Sequence, residues 1–233
     1  MVSSLSSCLK DDSLISPDAP GAINNVIEFK NPSTIASPVD RVNPVYVLSY
    51  DVSPSADGVL QVNYAGSEPA PQDITVKVSL APEVIAAYNA KTIADARATA
   101  IASGTDPDEA EEELEGTLYS AMPSNLYTLS TLDIVIPKGQ RTADIKYTVK
   151  PNQFDFSMNY ALAFKIESVS SGVVSGNFGT AILAIGGKNQ FDGTYTYRTS
   201  AATSLVPTAN KSVTLITQSA TSVKIEPGLL VTY

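Results

Sequence analysis

The sequence has no histidine and no tryptophan, and a single cysteine, Cys8, among 233 residues. Without histidine the commonest general base and metal ligand at neutral pH is missing, and a Ser-His-Asp triad is excluded. Without tryptophan, any aromatic platform has to be built from Tyr and Phe. One cysteine forbids an intramolecular disulfide and a Cys-rich zinc site. Charge is also sparse: 17% of residues are charged and the balance is -9. That sign disfavours non-specific binding to nucleic acid. No apolar run is long enough to span a bilayer.

What is present is a core. Apolar residues make up 43% of the chain, and Ser, Thr, Asn and Pro replace the missing charge, a mix usual in secreted β-proteins. The length allows one large or two modest domains. The clearest signal runs from Leu132 to Ile166. Leu132, Ile134 and Ile136 form one alternating set, Ile145, Tyr147 and Val149 a second, and Tyr160, Leu162, Phe164 and Ile166 a third. Strict alternation implies strands with one apolar face and one wet or lightly covered face. Pro137-Lys138-Gly139 reads as a type I turn with Pro second and Gly fourth. Together these predict an antiparallel meander.

Other strands are expected at 26–29, 45–50, 59–64 (after an Asp57-Gly58 turn), 74–80 and 178–185. The 45–50 stretch reads as apolar on both sides. A helical insertion is expected at about 82–118. Pro82 suits a first helical position, Ala is dense from Ala86 to Ala102, and Gly104 stops the helix. A second helix opens at Asp106-Pro107-Asp108-Glu109, with Asp106 as cap and with Leu114 and Leu118 on its apolar side. The run Glu111-Glu112-Glu113 reads as a solvated face, because a calcium loop spaces its acids around a turn Gly. Gly186-Gly187-Lys188-Asn189 lacks the spacing of a phosphate loop and reads as a domain boundary. Beyond it, 191–198, 212–217 and 222–225 are expected strands of a second unit, and the chain ends at Leu230-Val231-Thr232-Tyr233 in what reads as a further strand.

The first residues carry a different signal. Leu5-Ser6-Ser7-Cys8 looks like a bacterial lipobox, in which the cysteine becomes the lipid-bearing N-terminus. Lys10-Asp11-Asp12 is similar to the short export signal of Bacteroidetes-type surface lipoproteins. The basic and apolar parts of a signal peptide do not precede it. The alternative is an inert cysteine in a frayed terminus. Residues 10–25 read as a flexible tether.

Several short motifs recur in this order in one family. They are Asp73-Ile74-Thr75-Val76, Tyr88-Asn89, Met122-Pro123 with Tyr127, Ile136-Pro137-Lys138-Gly139, and Tyr160-Ala161-Leu162. Over residues 26–185 the chain resembles the uncharacterised N-terminal domain of Bacteroidetes surface lipoproteins, found ahead of carbohydrate-binding or glycosidase modules. Phe191-Asp192-Gly193-Thr194-Tyr195 is similar to the opening of the β-domain that often follows. The resemblance implies a mainly β chain. Residues 1–25 would be lipobox and tether, 26–185 an immunoglobulin-like antiparallel β-sandwich with the helical insertion, and 187–233 the start of a second β-domain. It implies lipid attachment at Cys8, an outer-membrane, surface-exposed location, and a place in a polysaccharide-utilisation system beside outer-membrane uptake proteins. No enzyme activity, cofactor or metal is expected, and no nucleic-acid partner. Tyr195 and Tyr197 alternate onto one strand face and are the candidates for contact with polysaccharide or oligosaccharide. The competing reading makes them core residues of the second unit. A purely structural spacer or adhesin-like module, and a glycoside hydrolase accessory chain, are the alternative functions.

Overall fold

Alternation of apolar side chains along the chain resolves into two facing sheets. The computed structural model describes residues 25–66, 68–197 and 211–226. The tether and the expected strand at Leu230–Tyr233 lie outside those residues. The strands are β1 (Val26–Phe29), β2 (Val45–Asp51), β3 (Ala56–Ala65) and β4 (Ile74–Leu80). Helices α1 (Pro82–Ser103) and α2 (Pro107–Glu112) follow. Then come β5 (Tyr119–Ala121), β6 (Tyr127–Leu129), β7 (Asp133–Ile136), β8 (Thr142–Val149) and β9 (Asn159–Val169). The last are β10 (Val173–Val174), β11 (Thr180–Lys188), β12 (Gly193–Tyr197), β13 (Lys211–Thr217) and β14 (Val223–Glu226).

One sheet has the order β10-β1-β3-β8-β6 and the other β2-β11-β9-β4-β7, with β5 added beside β9. Their inner faces form the main core, which includes Ile27, Phe29, Leu60, Ile74, Ile136, Ile145, Phe164 and Leu183. Phe29 and Phe164 meet edge to face across it at 6.5 Å. The fold is therefore the expected mainly β, immunoglobulin-like sandwich with a helical insertion. Most ladders are antiparallel, but β1 with β10, β2 with β11 and β5 with β9 run parallel.

The meander is corrected. β7 pairs with β4 in one sheet, whereas β8 pairs with β3 and β6 in the other. The chain changes sheets between them. Asp73 accepts from the Lys138 amide at 2.8 Å, and Gly139 donates to the Ala70 carbonyl at 2.8 Å. The turn is also displaced by one residue. Gln140 donates to the Pro137 carbonyl, which puts Gly139, with φ 79°, third in the turn. That geometry belongs to type II rather than type I. Periodicity reports which side of a strand is buried, not which neighbour it pairs with.

Four local readings also change. Asp57-Gly58 lies inside β3, not in a turn. In β2, Val45 and Tyr46 are buried but Val47 is 53% exposed. β11 runs through Gly186, Gly187 and Lys188, which pair with Ser49, Tyr50 and Asp51. Helix α2 stops at Glu112, so Leu114 and Leu118 follow it in turns.

The outer face of the β9 sheet explains where α1 sits. Tyr160, Leu162, Phe164 and Ile166 point into the main core, so Ala161 and Ala163 point outwards. With Val45, Ile182 and Ala184 they form a low, apolar floor for Ala81 and Ile85 of the helical segment. Alanines let the helix approach closely, and the same face becomes wet where β9 reaches Lys165 and Glu167. Gly104 ends α1 in the left-handed region at φ 73°, and the Thr105 amide donates back to Ala100 at 2.9 Å. Asp106 caps α2 by accepting from the Asp108 amide at 2.8 Å.

Candidate functional site

The two tyrosines singled out from the sequence lie on β12, the first strand of a three-stranded sheet ordered β12-β13-β14. Tyr195 faces Val213 across the ladder, and Tyr197 pairs with Lys211 by backbone. Val213 is buried, yet the Tyr195 ring is 43% exposed. Leu215 and Ile225, paired on β13 and β14, share that face. Tyr195 therefore has an apolar support beside it and one side open to water, unlike a fully buried core aromatic. The Tyr197 side chain lies outside what the structure describes, as does Cys8.

The start of this unit is tied by a polar knot of which only the turn residues themselves are legible in the sequence. Asn189 is 5% exposed. Its amide group donates to the Ala220 carbonyl at 2.8 Å, and its side-chain oxygen accepts from the Phe191 amide at 3.0 Å. Its backbone N–H donates to the Thr217 hydroxyl at 2.8 Å, and that hydroxyl donates to Asp192 at 2.7 Å. A buried amide with this many partners repays its desolvation.

A second ordered polar cluster clamps the loop between β1 and β2 against α1. Arg41 pairs with Asp95, which also takes Lys91, and its guanidinium sits 5.5 Å from the centre of the Tyr88 ring. Burial works against the Arg41 charge, but the bond to Asp95 and the charges of Asp95 and Asp40 keep its pKa above the ordinary value. Lys91 and then Arg41 hold the Asp95 carboxyl below its ordinary value. Glu111, from the acidic run, pairs with Arg97 at 2.7 Å, as does Asp108. Among the described residues no group of three acidic or cysteine side chains is placed to hold a metal.

The residues that carried the family resemblance prove to be joints. Asn89 donates to the Tyr119 carbonyl at 2.7 Å and accepts from the Tyr119 amide at 3.1 Å, so it fastens α1 to β5 as a strand would. The Tyr88 and Tyr119 rings meet at a tilt, 5.9 Å apart. A family model described as a "-like, N-terminal domain" matches residues 35–173. The chain belongs to this N-terminal-domain family. The matched region runs from the loop before β2 to the start of β10 and takes in both helices. It leaves β1, β11 and the three-stranded sheet outside.

No curated protein matches the chain. Solved structures do. A protein of unknown function from Bacteroides ovatus superposes with a TM-score of 0.57 at 17% identity, covering 88% of this chain and 63% of its own. A multidomain protein including DUF1735, also from Bacteroides ovatus, gives 0.54 at 17% identity, covering 88% and 62%. A further Bacteroides ovatus protein of unknown function gives 0.51 at 19% identity, covering 88% and 60%. These likenesses show the fold shared by the family member and its neighbours. The chain spans less than two thirds of each of those proteins.

Proposed function

We propose that this family member is part of a lipid-anchored surface protein in a polysaccharide-utilisation system, and that its three-stranded sheet binds glycan. The observation that carries the ligand half is the exposed Tyr195 ring, set beside Val213 on a strand face. A half-open tyrosine offers a flat apolar surface to the C–H face of a sugar and a hydroxyl to its edge. The observation behind the anchor is the Leu5-Ser6-Ser7-Cys8 sequence followed by Lys10-Asp11-Asp12. Two acyl signals on such a cysteine hold a soluble domain stably at a membrane, whereas one chain alone does so marginally. The reading assigns no catalytic step to this part of the chain and takes its partners to be oligosaccharide and outer-membrane uptake proteins.

Affinity electrophoresis against plant and host polysaccharides tests the ligand. Retardation by at least one polysaccharide, abolished by Tyr195→Ala, is expected. Equal mobility in every gel rejects it. Mass spectrometry of the protein from native cells tests the anchor, where an unmodified Cys8 thiol would be decisive against it.

One observation favours a second reading, a spacer without ligand. Asp73, Tyr88, Asn89 and Lys138, which lie within the recurring motifs, all make structural contacts in the sandwich. Motif residues used as joints are what a stalk needs. Under that reading Tyr195→Ala changes stability and nothing else.

A further inference from the structure

The loop between β1 and β2 places two valines in water on either side of a buried arginine. Val39 and Val42 are 106% and 75% exposed, while the Arg41 side chain retains 9%. The clamp of Arg41 on Asp95 and Tyr88 fastens that loop to α1. Under it lies a cavity of about 550 Å³, within the usual range of small-molecule sites, about 300–1,000 Å³. Pro38, Val42, Pro44 and Phe178 give it apolar walls, and Asp40 and Asn177 bring a carboxylate and an amide to it. Neither of those two side chains has a hydrogen-bond partner among the described residues.

Charge narrows the ligand. Asp40 and Arg41, the charged residues that line the cavity, are opposite in sign, and the single positive charge left by Arg41 and Lys91 on Asp95 is balanced by Asp40. The cavity therefore makes no demand for an ion. Aliphatic walls match C–H faces, a carboxylate accepts from hydroxyls, and an amide both donates and accepts. We infer that this cavity is a second binding site, for a neutral oligosaccharide, with Asp40 and Asn177 holding its hydroxyls and Pro38, Val42 and Phe178 covering its ring faces. The ligand class is shared with the function proposed above. The site is separate, and lies mainly in the family-matched part of the chain rather than on the three-stranded sheet.

Calorimetric titration of the full chain with maltotriose, mannotriose, cellotriose and xylotriose at millimolar concentration tests this. Binding of at least one is expected to persist in the Tyr195→Ala background, which removes the site proposed on β12, and to be weakened about tenfold or more in that background by Asp40→Ala and by Asn177→Ala, as for loss of a hydrogen bond to a ligand. Asp40 and Asn177 are exposed, so both variants should keep the parent urea midpoint, which confirms that the fold survives. No heat with any trisaccharide overturns the inference, as does binding indifferent to both substitutions. Binding lost only with Tyr195→Ala also overturns it, while supporting the site on β12.

Discussion

The Tyr147 ring lies over the backbone of Gly58, its cross-strand partner, in the space where a Cβ would stand: that atom would be 2.2 Å from the ring. This contact explains a glycine in mid-strand. The ring is 3% exposed, and its hydroxyl meets that of Tyr50 at 2.8 Å, joining β8 in one sheet to β2 in the other. Gly58→Ala should therefore displace the ring and break this link, at a cost of about 1–3 kcal/mol, the usual penalty for overpacking. A lower midpoint in urea unfolding checks it. Tyr147→Leu in the same chain should recover part of the loss, since the coupled pair is not additive.

Tyrosine ionisation offers a second test, made simple by the lack of tryptophan among 11 tyrosines. Burial, then the charge of Glu28, pushes Tyr46 up from 10.0 to about 12. Burial, followed by the bond to Tyr50, pushes Tyr147 higher still. A raised acid pKa in the folded state means stability that is complete below pH 10 and declines as pH rises towards the folded values. A spectrophotometric titration should show a late group of tyrosines appearing only at or above about pH 12, together with loss of the folded circular dichroism signal. Ionisation of all 11 in one step near pH 10, with the fold intact, contradicts the burial of these two.

Arg41→Ala should free the loop it clamps. Asp95 is more than a third exposed, so solvent screening discounts the ion pair, and the loss is expected at about 1 kcal/mol from packing and the Tyr88 contact together. Hydrogen exchange should accelerate for amides of residues 36–45 with little change in β3 or β8. Because Asp95 is held below its ordinary value of 3.8, the ion pair's small contribution is whole above that pH and is lost as pH falls below it. Parent and variant stabilities should therefore draw closer in acid by that part alone, while the packing and Tyr88 part persists.

Asn189→Ala removes a buried amide and leaves the Ala220 carbonyl and Phe191 amide without that partner. The expected cost is about 1–3 kcal/mol, confined to the three-stranded sheet. Faster exchange of β13 amides, with those of β9 unaffected, is the signature. Uniform acceleration through both units would show instead that they unfold together.

Much of this architecture was legible in the residues. The alternation of Tyr160, Leu162, Phe164 and Ile166 with Ala161 and Ala163 foretold both the core face of β9 and a lightly covered outer face, because side-chain period is a local property. Gly104 and Asp106 marked helix ends for the same reason. What escaped was pairing. Nothing in Ile136-Pro137-Lys138-Gly139 announces that the chain leaves one sheet for the other, since Ile74 and Ala70, which meet that turn region, are more than sixty residues away. Gly58 reads as a turn because its reason, the ring of Tyr147, is farther away still in sequence. The Arg41 clamp was missed likewise: Asp95 and Tyr88 share a helix, but no spacing rule links a helix to a loop. Of the candidate site residues, Tyr195 is singled out by alternation, and the structure adds its exposure.

The ladder between β2 and β11 has a consequence for how the protein is made. Ile182 to Lys188 lie alongside Val45 to Asp51, so a strand synthesised early finds its neighbour only after more than a hundred further residues have left the ribosome. Such a distant closure is slow. Until it happens, Val45 and Tyr46, buried in the finished molecule, sit on an unpaired edge open to other chains. Nascent protein halted upstream of Thr180 should therefore aggregate or recruit chaperones, making late chain completion the step that licenses solubility.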